Sequence, residues 1–280
     1  MDIVYIYKHS QANDLEIRLS LRSVARFYPT VGKVWIFGDR PHFLAEDTTI
    51  VEHVPADSLA RALEMPTPIA NLFRAMFVSS LIPDLSPEYL FFSDDFFLLR
   101  EYAPEAARTI RYLEDLDKVE IRGKGLWIDA LWRTYELLKR LGYPRLNFET
   151  HTPTYLRKKW VFDAYADLKD FTTADRWYGM LGPTSIMNHV LAKQSVELPL
   201  VSIRQEGARA GFWDAPPKYE DVAQACEGKL FFNCDDKAFG PDVRRYLLER
   251  FATPSKYEKP GSDAIVDDGR ATATCFQVIV

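Results

Sequence analysis

The sequence predicts an α/β protein: a mostly parallel sheet with helices on both faces, followed by a more irregular helical C-terminal half. Three observations carry this. Strand-like and helix-like segments alternate through the first hundred residues, which is the pattern of repeated strand–helix–strand units. About half of the 280 residues are apolar, enough to bury a large core. A pair of acidic residues also follows the fourth strand-like segment directly, at the end of a sheet where ligands of such folds bind.

The elements follow in order. Residues 2–7 (Asp-Ile-Val-Tyr-Ile-Tyr) read as a buried strand, and Asn13 or Asp14 can cap the helix after it. That helix carries Leu15, Leu19, Val24 and Phe27 near one face and ends before Pro29. Lys33 to Phe37 is a second strand, stopped by Gly38-Asp39-Arg40-Pro41, and Thr49 to His53 a third. Pro66 or Pro68 opens a helix through Ile82, and Tyr89 to Phe92 is the fourth strand. Further helices are expected near 104–115, 127–141, 155–168, 184–193 and 241–252, with strands near 196–203 and 229–233. Arg204 to Tyr219, with two glycines and two prolines, reads as a long loop, a kind of segment that tends to be functional. The tail after Pro254 is small and polar until a strand-like Cys275 to Val280. The expected division is 1–117, a ligand-binding α/β half, 118–258, a second half of the same domain, and 259–280, a tail.

Composition excludes several classes. No apolar run is long enough for a membrane span, and Met1-Asp2 opens on a strand rather than a secretory signal. The three cysteines have no metal-finger spacing and fit a reducing cytoplasm, the expected location. The net charge of −5 is unevenly spread: Lys118 to Trp160 holds ten Lys/Arg against four Asp/Glu, so the rest of the chain carries −11. Seven aromatic residues are interleaved in that basic stretch. It reads either as a helical pair with a solvated basic face or as a platform for a polyanion such as nucleic acid.

The strongest chemical signal is Phe91-Phe92-Ser93-Asp94-Asp95-Phe96-Phe97. Adjacent carboxylates between apolar flanks are costly to desolvate without a counter-charge, which Mg²⁺ or Mn²⁺ can supply. The plainer reading is a strand-end turn whose aspartates cap a helix or pair with arginines. Asn71 and Arg74, three apart on a helix, share a face and could reach a diphosphate or sugar hydroxyls near Asp94. Asp39, after the second strand, could accept from a ribose or base, and Lys8 and His9 occupy the equivalent edge after the first. Each of these is also an ordinary cap or surface residue when taken alone.

Asp2–Tyr7, then Leu15-Glu16-Ile17-Arg18-Leu19-Ser20-Leu21-Arg22-Ser23-Val24, then Val34-Trp35-Ile36-Phe37-Gly38-Asp39 resembles the opening of GT-A glycosyltransferases. The chain looks closest to the Stealth group of sugar-phosphate transferases. Ser93-Asp94-Asp95-Phe96 is similar to their Asn-Asp-Asp-Phe motif, and His151-Thr152-Pro153 to their His-x-Pro block. Asn233-Cys234-Asp235-Asp236, a helix, and Pro254-Ser255-Lys256-Tyr257-Glu258 resemble their last block. Where the Stealth opening has an acidic residue, this chain runs Tyr7-Lys8-His9-Ser10, and Ser93 replaces Asn. The resemblance implies a GT-A-like, Rossmann-like fold, a nucleotide-diphosphate sugar as donor, and Mn²⁺ or Mg²⁺ at Asp94 and Asp95.

For the remaining roles several residues stay open. His151 could be a metal ligand, a general base or a loop histidine held by backbone. Asp235 and Asp236 could complete a metal or acceptor site or cap the next helix, and Asp129, Glu149 and His189 are further candidates for the base. The basic, aromatic region also resembles phage-type and base-J-type transferases that glycosylate hydroxymethylated bases in DNA. That likeness implies phosphate contacts from Arg157, Lys158, Lys159 and Trp160, and a wedge by Phe212 and Trp213 where a base is flipped out. For a phage protein the location would be the host cytoplasm. The competing readings are sugar-1-phosphate transfer to a glycan and a non-catalytic nucleic-acid-binding module.

Overall fold

The computed structural model describes residues 1–262 apart from 11, 122, 174 and 176–178; the expected strand at Cys275–Val280 lies outside the described residues. In chain order, β1 (Asp2–Tyr7), α1 (Leu15–Phe27), β2 (Val34–Gly38), β3 (Val51–Val54), α2 (Ala56–Ala62), α3 (Leu72–Ser80) and β4 (Glu88–Phe92) build the first part. β5 (Phe96–Leu98), α4 (Pro104–Ala107), β6 (Ile110–Tyr112), β7 (Glu114–Asp115), α5 (Leu126–Arg140), β8 (Leu146–Asn147), β9 (Thr154–Arg157) and α6 (Lys158–Leu168) come next. α7 (Gly182–Lys193), β10 (Leu200–Ser202), α8 (Ile203–Glu206), β11 (Arg209–Phe212), α9 (Tyr219–Cys226), β12 (Phe231–Cys234) and α10 (Pro241–Arg250) complete it.

The main sheet has the order β3-β2-β1-β4-β9, parallel except for β9. A second sheet, β11-β12-β5, has β5 antiparallel to β12. Both sheets take strands from each side of residue 117, through β4 with β9 and β5 with β12.

α1 lies between the sheets. Ile17, Leu21 and Val24 join the main core, while Leu15 and Leu19 join the second. Its serines hold β5: Ser20 Oγ donates to the Phe96 carbonyl at 2.5 Å, and Ser23 Oγ accepts from the Leu98 N–H at 3.0 Å. A helix apolar on two sides leaves its remaining polar residues inside the protein, so Glu16, Arg18 and Arg22 are buried.

Glu258 answers the two arginines, accepting from Arg18 Nε at 2.6 Å and from Arg22 Nε and Nη2 at 2.7 and 2.8 Å. The Pro254–Glu258 motif therefore acts as a clasp. Arg22 Nη1 also donates to the Phe251 and Ala252 carbonyls at 2.9 Å, and the Ala45 N–H donates to the Tyr257 carbonyl at 2.8 Å.

Several expectations are corrected. Of the helix expected over 104–115, only Pro104–Ala107 forms; Ile110–Tyr112 pairs in parallel with β10 instead. The helix expected over 155–168 begins at Lys158, because Thr154–Arg157 pairs with β4. The helix expected from Pro66 or Pro68 starts at Leu72, capped by Asn71. The long loop expected over 204–219 contains β11, whose partner β12 lies some twenty residues on, out of reach of local pattern. No helix among the described residues is long and apolar enough to cross a membrane.

Candidate active site

Ser93-Asp94-Asp95 is the turn that carries the chain from β4 in the first sheet to β5 in the second. It sits at the carboxyl ends of β1 and β4, on the seam between the sheets. Glu16, from the first turn of α1, and Asp236, just past β12, share this region. Burial pushes the Asp94 carboxyl up to about 7, and the charges of Asp236 and Asp14 add to the rise. Burial, then Asp94 and Asp236, hold Asp95 well above the ordinary carboxylate range. Glu16 is raised likewise, by burial and then by Asp94 and Asp236. Asn233, 1% exposed, favours the ionised form of Asp95.

Carboxylates that raise one another's pKa fit a hard divalent cation, which would stabilise their charged forms. Asp94 and Asp95, with Glu16 and Asp236 close by, are the residues that could hold Mn²⁺ or Mg²⁺. Asp235 sits differently: its carboxylate accepts from the Ala238 N–H at 2.8 Å and the Asp214 N–H at 3.1 Å, which caps the turn before α10.

Beside Asp95 opens a pocket whose polar lining includes Glu149, Thr150, His151 and Thr152, with Leu72 and Phe91 among its apolar walls. Glu149 is buried, and burial pushes its carboxyl up to about 7, against the two hydrogen bonds that Oε1 accepts from the Thr184 N–H and hydroxyl. Burial, then the Arg209 charge, lowers His151 to about 4, so its ring is neutral at pH 7. Trp213, 41% exposed, meets the His151 ring edge to face at 6.1 Å, and the Arg209 guanidinium lies 5.1 Å from the Trp213 ring centroid. Arg209 Nη1 donates to the Thr150 carbonyl at 2.6 Å. Gly211 makes this arrangement possible: a Cβ there would stand 2.6 Å from the Trp213 ring and 2.8 Å from Asn233 Oδ1.

The other sequence-derived candidates are dispersed. Asp39 Oδ2 accepts from the His9 N–H at 2.9 Å, next to the exposed Lys8, at the ends of β1 and β2. Gly38, between these strands' ends, allows close approach, since a Cβ would fall 1.9 Å from the Tyr7 carbonyl oxygen. Asn71 is buried and accepts from the Arg74 N–H at 3.2 Å, and Arg74 is half-buried on α3. Asp129 is exposed in the first turn of α5, and His189 bonds Asp167 at 2.9 Å; neither lines the pocket. Phe212 packs against Phe232 at 6.4 Å.

Arg157, Lys158, Lys159 and Trp160 lie at the other end of the sheet. Register pairs Arg157 with Glu88, the first residue of β4, whereas Asp94 follows its last. Arg157 ion-pairs with Glu88 at 3.1 Å, Lys158 Nζ donates to the Ile82 carbonyl at 2.9 Å, Lys159 pairs with Asp163 at 2.7 Å, and Trp160 is buried. The local excess of positive charge is similarly met elsewhere, with Lys118 on Asp115 at 3.0 Å and Arg145 on Asp117 at 2.8 Å. All four acids lie outside the basic stretch and pair Lys118, Arg145, Arg157 and Lys159. Replacing Lys159 by Ala is expected to change stability by less than about 0.5 kcal/mol, as for other exposed pairs, and to leave activity unchanged. Denaturation and turnover assays check this.

Sequence reasoning gave Glu16 and Arg209 no role and left Asp235 and Asp236 together as a metal or acceptor site or as a cap; Asp235 is the one that caps. The one available signal was α1 itself, whose near-alternation of apolar and polar residues is too even for a helix with a solvated face.

No protein-family model and no curated protein matches the sequence. Among solved structures, the chain is similar to the WbbM bifunctional glycosyltransferase in its apo form, with a TM-score of 0.51, 10% identity, and coverage of 91% of this chain and 50% of that one. It therefore spans half of the WbbM chain. A galactosyltransferase, LgtC, in complex with donor and acceptor sugar analogues is similar at a TM-score of 0.46 and 12% identity, covering 91% of this chain and 98% of that one. The mixed sheet, its helices and the WbbM likeness together place the chain among proteins of the GT-A glycosyltransferase fold.

Proposed function

We propose that this protein is a glycosyltransferase that takes its sugar from a nucleotide-diphosphate donor bound along the ends of β1, β2 and β4. The observation that carries the reading is the convergence of Asp94, Asp95, Glu16 and Asp236 at the seam of the two sheets, beside a pocket holding an acid of raised pKa. A divalent cation held by Asp94 and Asp95 would neutralise charge on the departing diphosphate. Lys8, His9 and Asp39 border the donor edge, where Asp39 is oriented by the His9 N–H.

Glu149 is the general base in this reading. Its pKa of about 7 matches the proton it must take from an acceptor hydroxyl, whereas His151, lowered to about 4, is a weak acceptor of protons at neutral pH. Trp213 offers a face on which an acceptor sugar can stack, and Arg209 a cation for an acidic substituent. Glu149→Gln is expected to lower kcat by about 10²–10⁴-fold. In the native protein the rate should rise with pH through about 7 as Glu149 loses its proton; that limb should vanish in the variant. A pH–rate profile with an unaltered limb would assign the base elsewhere.

The deciding experiment offers UDP- and GDP-sugars with Mn²⁺ or Mg²⁺ to glycan acceptors and to duplex DNA with hydroxymethylated pyrimidines, and weighs products by mass spectrometry. A hexose- or pentose-sized gain with nucleoside diphosphate release supports glycosyl transfer, and the acceptor that gains it identifies the class. Nucleoside monophosphate as the by-product would instead identify Stealth-like sugar-1-phosphate transfer, for which Arg209 beside the pocket would suit the extra phosphate. In this reading the ion pairs of Arg157 with Glu88 and Lys159 with Asp163 favour a glycan over DNA as acceptor.

A further inference from the structure

Three residues from two loops meet at the edge formed by the ends of β1 and β2. His9 follows β1, Asp14 precedes α1, and His42 follows β2. His9 Nδ1 lies 2.9 Å from Asp14 Oδ1, and His42 Nε2 lies 3.9 Å from Asp14 Oδ2. One ligand atom from each can be chosen so that all lie within 4.8 Å of one another. The two imidazoles are stacked, with centroids 5.0 Å apart and planes 13° from parallel. We propose that His9, Asp14 and His42 bind a borderline divalent transition-metal ion of the Zn²⁺ class, at a site separate from the carboxylates of Asp94 and Asp95.

Four features support this. The donor set is two imidazoles and one carboxylate, which suits Zn²⁺, Co²⁺ or Ni²⁺ and not the hard ions that oxygen-only sites take. Ligands bonded to one tetrahedral ion at about 2.0–2.2 Å stand roughly 3.3 Å apart, so the observed spacings need only small side-chain shifts. Asp14 is already fixed from behind: the Tyr7 hydroxyl donates to Oδ1 and the His42 N–H to Oδ2 at 3.2 Å, the outer-shell support that metal-binding carboxylates use. Asn13 and Asp14 both hold positive φ, 52° and 62°, a conformation uncommon outside glycine, and Asp14 spends its carboxylate here rather than on capping α1.

The imidazoles are accessible, with His42 at 73% side-chain exposure and His9 at 42%, so an ion can enter and keep water as a further ligand. Bound metal would tie the β1–α1 loop to the turn after β2. The inference holds whether or not the protein transfers sugar.

The test uses the full chain without a histidine tag, stripped of metal and titrated with Co²⁺. Visible d–d absorption saturating at one equivalent is expected, displaced by Zn²⁺ and not by Mg²⁺. It should disappear in the His9→Ala/His42→Ala variant and persist in Asp95→Asn. Circular dichroism verifies that each variant folds; if the double variant does not, His42→Ala alone, at the most exposed position, should weaken binding. No absorption, absorption unaltered by the histidine substitutions, or absorption lost in Asp95→Asn would each overturn the proposal.

Discussion

Replacing Asp95 by Asn is expected to lower the proposed sugar transfer at least about 100-fold, the order seen when one stabiliser of developing charge is removed from a preorganised site. The substitution keeps shape and removes one of several like charges. Because Asp94 and Asp236 both disfavour an ionised Asp95, its loss relieves repulsion, so the variant should be as stable as the native protein or more so. That pairing is the diagnostic: turnover lost while the denaturation midpoint holds or rises. Adding Mn²⁺ should stabilise the native protein more than the variant, since a ligand that binds only the folded state raises its stability. A variant with turnover within a few-fold of native would remove Asp95 from the chemistry.

The second large effect concerns the clasp. Glu258→Ala is expected to destabilise the protein by about 3–5 kcal/mol, the cost of leaving buried charges without their partner. Arg22 has 2% side-chain exposure and Arg18 11%, so water cannot substitute for the lost carboxylate. The pH dependence has a definite sign. Hydrogen bonds from Arg22, Ser255 and Arg18 outweigh burial and hold the Glu258 carboxyl below its ordinary value. Its contribution is therefore complete above the unfolded-state value of about 4.3 and is lost as pH falls through the lower folded-state value. Urea denaturation at neutral pH and in acid should show the native protein losing this increment and the variant having none to lose. An equal slope with pH in both would refute the assignment.

Much of the architecture could be read from the chain because its signals are local. The parallel core announces itself in runs such as Val34-Trp35-Ile36-Phe37, and Asp94-Asp95 stands out because charge between four phenylalanines is costly anywhere. What escaped was set by distant partners. Ile110-Arg111-Tyr112 follows a good helix start at Pro104, and only its pairing with Leu200–Ser202 makes it a strand. Arg209–Phe212 looks like loop until Phe231–Cys234 lies beside it. Glu16 resembles a solvated helix residue until a second sheet covers that side of α1. Charge was likewise counted along the chain, whereas in space Glu88 pairs with Arg157 and Asp163 with Lys159. The sequence offered Asp235 and Asp236 alike, and only the fold shows that Asp235 accepts from the Ala238 and Asp214 N–H groups.

The clasp also sets a schedule for synthesis. Arg22 and Glu258 are 236 residues apart in the chain. At about 5–20 residues per second, a ribosome needs roughly 12–50 s to deliver the glutamate after the arginine. For that interval α1 can place its leucines and valine against nascent strands, but two guanidinium groups have no carboxylate to accompany them inside. The helix can be formed early and committed late, with the packing of both sheets around it completed only when residues 251–258 leave the exit tunnel.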